Sequence, residues 1–149
     1  MNRSLFRKYL IFKLPIAWLA GLKLLSFDGR KSEISVKLGW LNQNPFKSMF
    51  WAVQGMAAEL STGTLCLSKI QQSEMKISML VVGLEANFTK KAVGQIVFCC
   101  HQGDELDEVL KKAVETGEGQ ILKMKSTGTD AEGDQVSEFI FTWSFKVKN

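Results

Sequence analysis

Residues 48–68 read SMFWAVQGMAAELSTGTLCLS, and this stretch decides the fold. It contains no proline, and Glu59 is its only charged residue. Its apolar residues point in every direction around a helix, so the pattern predicts a helix that is buried on all sides. A helix of this kind needs other elements wrapped around it, and the rest of the chain must supply them.

The segments after this helix are mostly typical of strands. In the last of them Phe139, Phe141 and Trp143 alternate with polar residues, which predicts one buried face and one exposed face. An acidic first turn and a terminal glycine predict a surface helix inserted among the strands. The predicted strands are 32–40, 76–88, 92–101, 119–127 and 135–148, and the inserted helix is 104–117.

Residues 3–24 predict an N-terminal helical extension that is interrupted at Pro15, because proline removes a backbone donor. Lys13 and Lys23 lie within its apolar run and would be costly inside a bilayer, so we expect no membrane span. The chain as a whole, residues 1–149, predicts a single α+β domain. In this domain a five-stranded antiparallel sheet forms a roll around the long buried helix.

The composition excludes several classes of protein. The chain has 149 residues, of which 46% are hydrophobic, so it can bury a core and is too apolar for a disordered protein. The net charge of +4 comes without any basic run longer than two residues, which does not suit a nucleic-acid partner. Three cysteines, an odd number, indicate a reducing, cytoplasmic environment. Membrane contact is not expected, although the sequence leaves open that the first helix rests on a membrane surface.

Four stretches of the chain resemble the hotdog-fold thioesterase superfamily, and most closely a bacterial branch described only as a domain of unknown function. The resemblance implies a hotdog roll whose subunits pair edge to edge into a homodimer or homotetramer. It also implies acyl-thioester sites, for coenzyme A conjugates, at the subunit interface. The four stretches are FKLPIAWLAG (12–21), NPFKSMFWAVQGMAAELSTG (44–63), KISMLVVGLEANFTKKAVG (76–94) and FTWSFKVK (141–148).

The resemblance also implies roles for individual residues. Catalytic relatives carry an acidic residue on the central helix, and Glu59 occupies that position. Asn44 matches an asparagine that precedes the helix, where it would position the substrate. Backbone amides at Phe50 and Trp51 match the usual oxyanion site. In the relatives these amides are preceded by histidine and followed by glycine. Here bulky aromatic side chains replace the small residue, which opposes the approach of a thioester carbonyl.

Physical reasoning from the residues singles out Glu59. Its neighbours on the helix are small and mostly apolar, so desolvation should raise its pKa, as suits a general acid or base. The alternative is a structural carboxylate bonded to a hydroxyl or to strand backbone. Asn44 precedes a proline and equally fits ordinary turn chemistry. Gln54 lies about one turn from Glu59 and is predicted to line the same substrate pocket, or else to be a helix residue at the dimer seam. Thr62 is predicted to contact the substrate, or else to bond Glu59 or the backbone of its own helix.

Neither a metal nor another cofactor is expected. Cys99, Cys100 and His101 are consecutive in a predicted strand, where neighbouring side chains point to opposite faces. The three therefore cannot converge on one ion. The sequence also has no glycine-rich phosphate loop of a standard pattern.

Two functions stay open on the sequence. One is an acyl-CoA thioesterase in which Glu59 activates water or attacks the thioester carbonyl. The other is a non-catalytic acyl- or lipid-binding module that keeps the roll and the pocket. The single charge in an apolar helix favours the enzyme, and the aromatic pair Phe50 and Trp51 favours the binding module.

Overall fold

A six-stranded antiparallel sheet packs against one long helix in the computed structural model, which describes residues 1–148. The strand order is β1-β2-β4-β5-β6-β3. The helices are α1 (Arg3–Lys13), α2 (Pro15–Leu19), α3 (Trp51–Gln72) and α4 (Gly103–Thr116). The strands are β1 (Lys23–Phe27), β2 (Ser32–Lys37), β3 (Ile77–Phe88), β4 (Gln95–Cys100), β5 (Gln120–Thr129) and β6 (Gln135–Val147).

The sixth strand is β1, whereas the sequence predicts five strands and helix through residue 24. The N-terminal helices end at Leu19, and Gly21 follows with a φ of 88°. This left-handed backbone suits glycine and terminates the helix. The chain then continues as β1, in which Leu24 pairs with Ile34 of β2. Strand β1 follows the apolar run of the helix without a polar break. The hydrophobic pattern alone therefore does not show where the helix ends and the strand begins.

The long central helix α3 is buried in its middle turns, from Leu60 to Cys66, whereas its last residues, Gln71 and Gln72, are exposed. Leu65 and Cys66 are inaccessible to solvent, and Gly63 faces the indole ring of Trp143 in β6. Burial on all sides is nevertheless wrong for the first half. Trp51 is 54% exposed and Glu59 is also exposed, because the elements of a single chain leave one face of these turns uncovered.

The two edges of the sheet are formed by β1 and β3. Strand β3 pairs with β6 along one side, and its other side has no strand partner within the described part of the chain. Leu80, Val82, Leu84 and Phe88 of this strand are 64%, 52%, 48% and 49% exposed. A long apolar edge of this kind is a template for pairing with another strand.

The length and hydropathy of the helices bear on whether any of them could cross a membrane. None of those in residues 1–148 combines the length and the hydropathy that a bilayer span requires.

Candidate functional site

Glu59 lies at the edge of an apolar cavity of about 410 Å³, called here the Glu59 groove. Residues Lys13 to Ala17 of the α1–α2 junction form one wall, and Met56 and Leu60 of α3 form the other. Desolvation by these neighbours raises the pKa of the Glu59 carboxyl, as the sequence predicts.

The Glu59 carboxylate has no hydrogen-bond or ion-pair partner among residues 1–148. The structural alternative requires a hydroxyl or a strand backbone group bonded to this carboxylate, and the described chain supplies neither. The residue therefore presents a free acid–base group to an apolar groove, which is the arrangement that proton transfer to a bound ligand requires.

A second cavity of about 370 Å³ lies at the start of α3 and is called here the helix-start cavity. Asn44, Phe50, Trp51 and Gln54 all line it, together with Phe88 of the edge strand. The rings of Phe50 and Trp51 meet edge to face with centroids 6.2 Å apart, and both are about half exposed. The structure thus brings four of the six predicted site residues to one place.

The side chain of Asn44 forms its hydrogen bonds within the loop that precedes α3. Its Oδ1 accepts hydrogen bonds from the backbone N–H groups of Phe46 at 2.9 Å and Ser48 at 3.2 Å. Its Nδ2 donates to the Ser48 Oγ at 3.1 Å. These bonds hold a turn in which Lys47 adopts a φ of 59°, an uncommon conformation for a residue other than glycine. The contacts therefore match the turn chemistry that the Asn-Pro sequence predicts.

Gln54 and Thr62 are buried and bonded to the protein itself. Gln54 accepts a hydrogen bond from the Ser137 Oγ at 2.8 Å. Thr62 accepts from the Trp143 Nε1 at 3.0 Å and donates to the Glu59 carbonyl at 2.9 Å. Both side chains fasten α3 to β6. Gln54 also reaches the helix-start cavity, whereas Thr62 lines neither cavity.

Two free backbone donors lie at the start of α3. The N–H of Phe50 donates to the Asn42 carbonyl at 2.8 Å, so the prediction that this amide holds an oxyanion is wrong. The N–H groups of Val53 and Gln54 donate to the Phe50 carbonyl. In the described structure the N–H groups of Trp51 and Ala52, which lie between them, have no acceptor. Adjacent donors at the positive end of a helix dipole can hold a negatively charged oxygen.

Glu59 and these two donors cannot meet on one carbonyl group within a single chain. Trp51 and Glu59 are eight residues apart on the same helix, a separation of roughly 12 Å at about 1.5 Å per residue. The oxyanion donors must lie about 3 Å from the carbonyl oxygen, and a carboxylate that acts through water must lie within one water molecule of the carbonyl carbon. A complete hydrolytic site therefore requires a second copy of the chain or a different oxyanion donor.

The α1–α2 junction forms a wall of the Glu59 groove that was not predicted from the sequence. Leu14 and Ile16 lie beside Glu59 in space although they are more than forty residues away in sequence. The only available signal was Pro15, since a break between two helices exposes the side chains around it.

The residues that could bind a metal contact other groups of the protein or are buried. Cys99 and His101 share a face of β4, with Sγ and Nε2 3.2 Å apart, whereas Cys100 is buried. Among the described residues, one acidic group could hold an ion, and it consists of Asp130, Glu132 and Asp134. Its carboxylates already receive the Lys90 ammonium at 2.7, 3.1 and 2.8 Å.

Comparison with known families gives one match across nearly the whole chain. The family described as "Domain of unknown function (DUF4442)" matches residues 2–145. No curated protein matches the sequence.

Solved structures give the fold. A protein of unknown function from Pseudomonas aeruginosa, described as a probable thioesterase, has a TM-score of 0.81 and 18% identity, covering 99% of this chain and 97% of that one. A protein of unknown function from Chlorobaculum tepidum TLS has a TM-score of 0.82 and 18% identity, covering 98% and 94%. A thioesterase from Haemophilus influenzae has a TM-score of 0.72 and 14% identity, covering 99% and 92%. The chain therefore has the thioesterase-like hotdog fold.

Proposed function

Since the chain belongs to the DUF4442 family, whose description assigns no activity, we propose that it binds an acyl thioester of the coenzyme A type and hydrolyses it. The observation that carries the proposal is Glu59, an unpaired carboxylate with a raised pKa at the edge of an apolar groove. The groove suits an acyl chain, and the carboxylate suits the reacting end. The thioesterase names of two structural neighbours support the same substrate class.

In the proposed reaction the Glu59 carboxylate removes a proton from water as the water oxygen attacks the thioester carbonyl carbon. The raised pKa makes Glu59 a better base than an ordinary carboxylate. The N–H groups of Trp51 and Ala52 hold the resulting oxyanion. Collapse of the tetrahedral intermediate breaks the carbon–sulfur bond, and Glu59 returns the proton to the departing thiolate. The products are a carboxylic acid and a free thiol.

The proposed site is shared between two subunits. Because Glu59 and the free amides are too far apart in one chain, Glu59 of one subunit would work with the amides of the other. The unpaired, apolar edge of β3 is the surface that supports such pairing. We therefore propose a homodimer, alone or within a homotetramer, whose sheets join along β3.

A change on β3 tests the dimer. Introducing a charge by Leu84→Lys should convert a particle of about twice 16.7 kDa into one of 16.7 kDa in light scattering. Ile121→Lys is the matched control, because Ile121 is 62% exposed but lies on β5, which β6 separates from the free edge of β3. A wild-type protein that is monomeric at micromolar concentration contradicts the shared site.

A non-catalytic acyl-binding module is the second candidate function. It is favoured by the half-exposed rings of Phe50 and Trp51, which stand beside the free amides. A thioester carbonyl has to pass these rings to reach the N–H groups. In this case the groove would bind the acyl chain without turnover.

A panel of acyl-coenzyme A thioesters of increasing chain length separates the two candidates. Thiol release measures hydrolysis, and calorimetric titration of the same thioesters measures binding. Thiol release above the uncatalysed rate supports the enzyme, and binding without release supports the module. If the protein neither binds nor cleaves any member of the panel, both functions are wrong.

A further inference from the structure

The N-terminal helices carry an apolar surface that nothing in residues 1–148 covers. In α1, Leu5 and Phe12 are seven residues apart and therefore share a face, and they are 56% and 77% exposed. In α2, Ile16 and Leu19 also share a face, and they are 69% and 57% exposed. These four side chains are called here the N-terminal surface. Exposed aliphatic and aromatic groups in such number mark an interaction site.

The same segment is strongly basic. Residues 1–27 contain no aspartate or glutamate, and their basic side chains sum to +5. Since the whole chain carries +4, the remaining residues sum to −1. None of these basic side chains forms an ion pair within the described structure. They are Arg3, Arg7, Lys8, Lys13 and Lys23.

Two further exposed apolar side chains lie next to this segment and are held there by a hydrogen bond. Trp40 and Leu41 are 82% and 69% exposed in the short 3₁₀ turn Trp40–Asn42. The Nδ2 of Asn42 donates to the Ala20 carbonyl at 3.0 Å, which ties the turn to the end of α2. An exposed tryptophan beside basic and aliphatic residues is typical of proteins that rest on a membrane–water interface.

We propose that the N-terminal surface docks on an anionic phospholipid membrane. The apolar side chains would enter the interfacial region while the basic side chains meet lipid phosphates. Charge argues against a second copy of the same surface, because two segments of +5 would repel each other. The four exposed apolar side chains argue against a nucleic acid, which would leave them in water. The proposal favours the alternative, left open by the sequence, that the first helix rests on a membrane surface.

Docking would also place the Glu59 groove near the bilayer, and this consequence rests on the proposed function. Ile16 belongs both to the N-terminal surface and to the wall of the groove. Long-chain acyl thioesters partition into membranes because each methylene buried in the hydrocarbon favours the transfer. A docked protein would therefore meet such substrates where they accumulate. The docking itself requires no thioester and is tested without one.

Vesicle co-sedimentation of the full-length protein tests the proposal. We expect binding to vesicles of equal parts phosphatidylcholine and phosphatidylglycerol, and at least about tenfold weaker binding to phosphatidylcholine alone. The double changes Phe12→Ser with Ile16→Ser, and Arg7→Gln with Lys8→Gln, should each weaken binding to the anionic vesicles about tenfold or more. Ile121→Ser, and Lys111→Gln with Lys112→Gln, are the matched controls and should bind as the wild type does.

Three results would overturn the proposal. The first is a wild-type protein that does not sediment with anionic vesicles, or variants that sediment equally well. The second is a smaller particle in light scattering for Phe12→Ser with Ile16→Ser without lipid, which would identify the surface as a subunit contact. The third is binding of duplex DNA that persists in Phe12→Ser with Ile16→Ser but is lost in Arg7→Gln with Lys8→Gln. None of these results bears on thioester turnover, so the two proposals fail independently.

Discussion

The indole Nε1 of Trp143 donates a 3.0 Å hydrogen bond to the Thr62 Oγ1, deep between the sheet and the central helix. The Thr62 hydroxyl in turn donates a hydrogen bond to the carbonyl of Glu59 at 2.9 Å. This chain of bonds joins β6 to the turn of α3 that carries the candidate catalytic residue. It fixes the rotation of the helix and therefore the direction in which Glu59 leaves it.

Removing the Thr62 hydroxyl should destabilise the protein. Thr62→Val keeps the shape of the side chain but leaves the Trp143 N–H buried without an acceptor, at a cost of about 1–3 kcal/mol. Urea unfolding measures the loss. Thr142→Val is the matched control and should stay within about 0.5 kcal/mol, since no hydrogen bond involves the Thr142 hydroxyl in the described structure. Equal stabilities of the two variants would show that the Trp143 bond does not stabilise the fold.

Gly128→Ala should also destabilise the protein, because the register of β4 and β5 places Gly128 opposite Phe98. A Cβ at Gly128 would lie 2.5 Å from the Phe98 Cε1, and this ring is fully buried. Overpacking of this kind costs about 1–3 kcal/mol. Gly119→Ala is the control, because its nearest atom lies at 3.8 Å, and its midpoint of unfolding should change little. Equal midpoints would contradict the packing.

Two changes at Trp51 separate its amide from its ring. Trp51→Pro removes the N–H at the first position of α3, where proline fits, and the extended Phe50 before it tolerates proline. If the amide holds the oxyanion, turnover should fall about 100-fold. Trp51→Ala keeps the N–H and removes the ring, so turnover should be retained or should rise. An equal loss in both variants would assign the effect to the ring.

The pKa of Glu59 predicts a dependence of stability on pH. Folding raises this pKa above the ordinary value of 4.5, so the folded chain holds a proton that the unfolded chain has released. The wild type should therefore lose stability as pH rises from 4.5 through the folded-state pKa. Glu59→Gln removes this loss, so its advantage over the wild type in urea unfolding should grow between about pH 4 and pH 7. An advantage that does not change with pH would contradict the desolvation of Glu59.

The sequence predicted those elements whose surroundings are encoded locally. The alternation of Phe139, Phe141 and Trp143 identified β6 correctly, because one face of a strand must meet the core. Strand β1 could not be predicted in this way, since Leu24 continues the apolar run of a preceding helix. What ends that helix is the backbone of Gly21, which hydrophobic periodicity does not describe.

For the candidate site, local sequence predicted chemistry better than position. The raised pKa of Glu59 followed from its apolar neighbours on the helix and is confirmed. Its exposure was not predicted, because composition does not tell which face of a helix the other elements leave uncovered. The hydrogen bonds of Gln54 and Thr62 to β6 join residues about eighty positions apart and depend on the register between helix and sheet.

The turnover of an acyl-coenzyme A thioester by wild type and Glu59→Gln tests the central claim most directly. Glu74→Gln is the matched control, since Glu74 is an exposed carboxylate that does not line the groove. If Glu59 is the base, Glu59→Gln should lower kcat by about 100-fold or more while thioester binding and the oligomeric state persist. Glu74→Gln should keep the wild-type kcat. A Glu59→Gln variant that turns over at the wild-type rate, or that unfolds, would contradict the account and make Glu59 a structural residue.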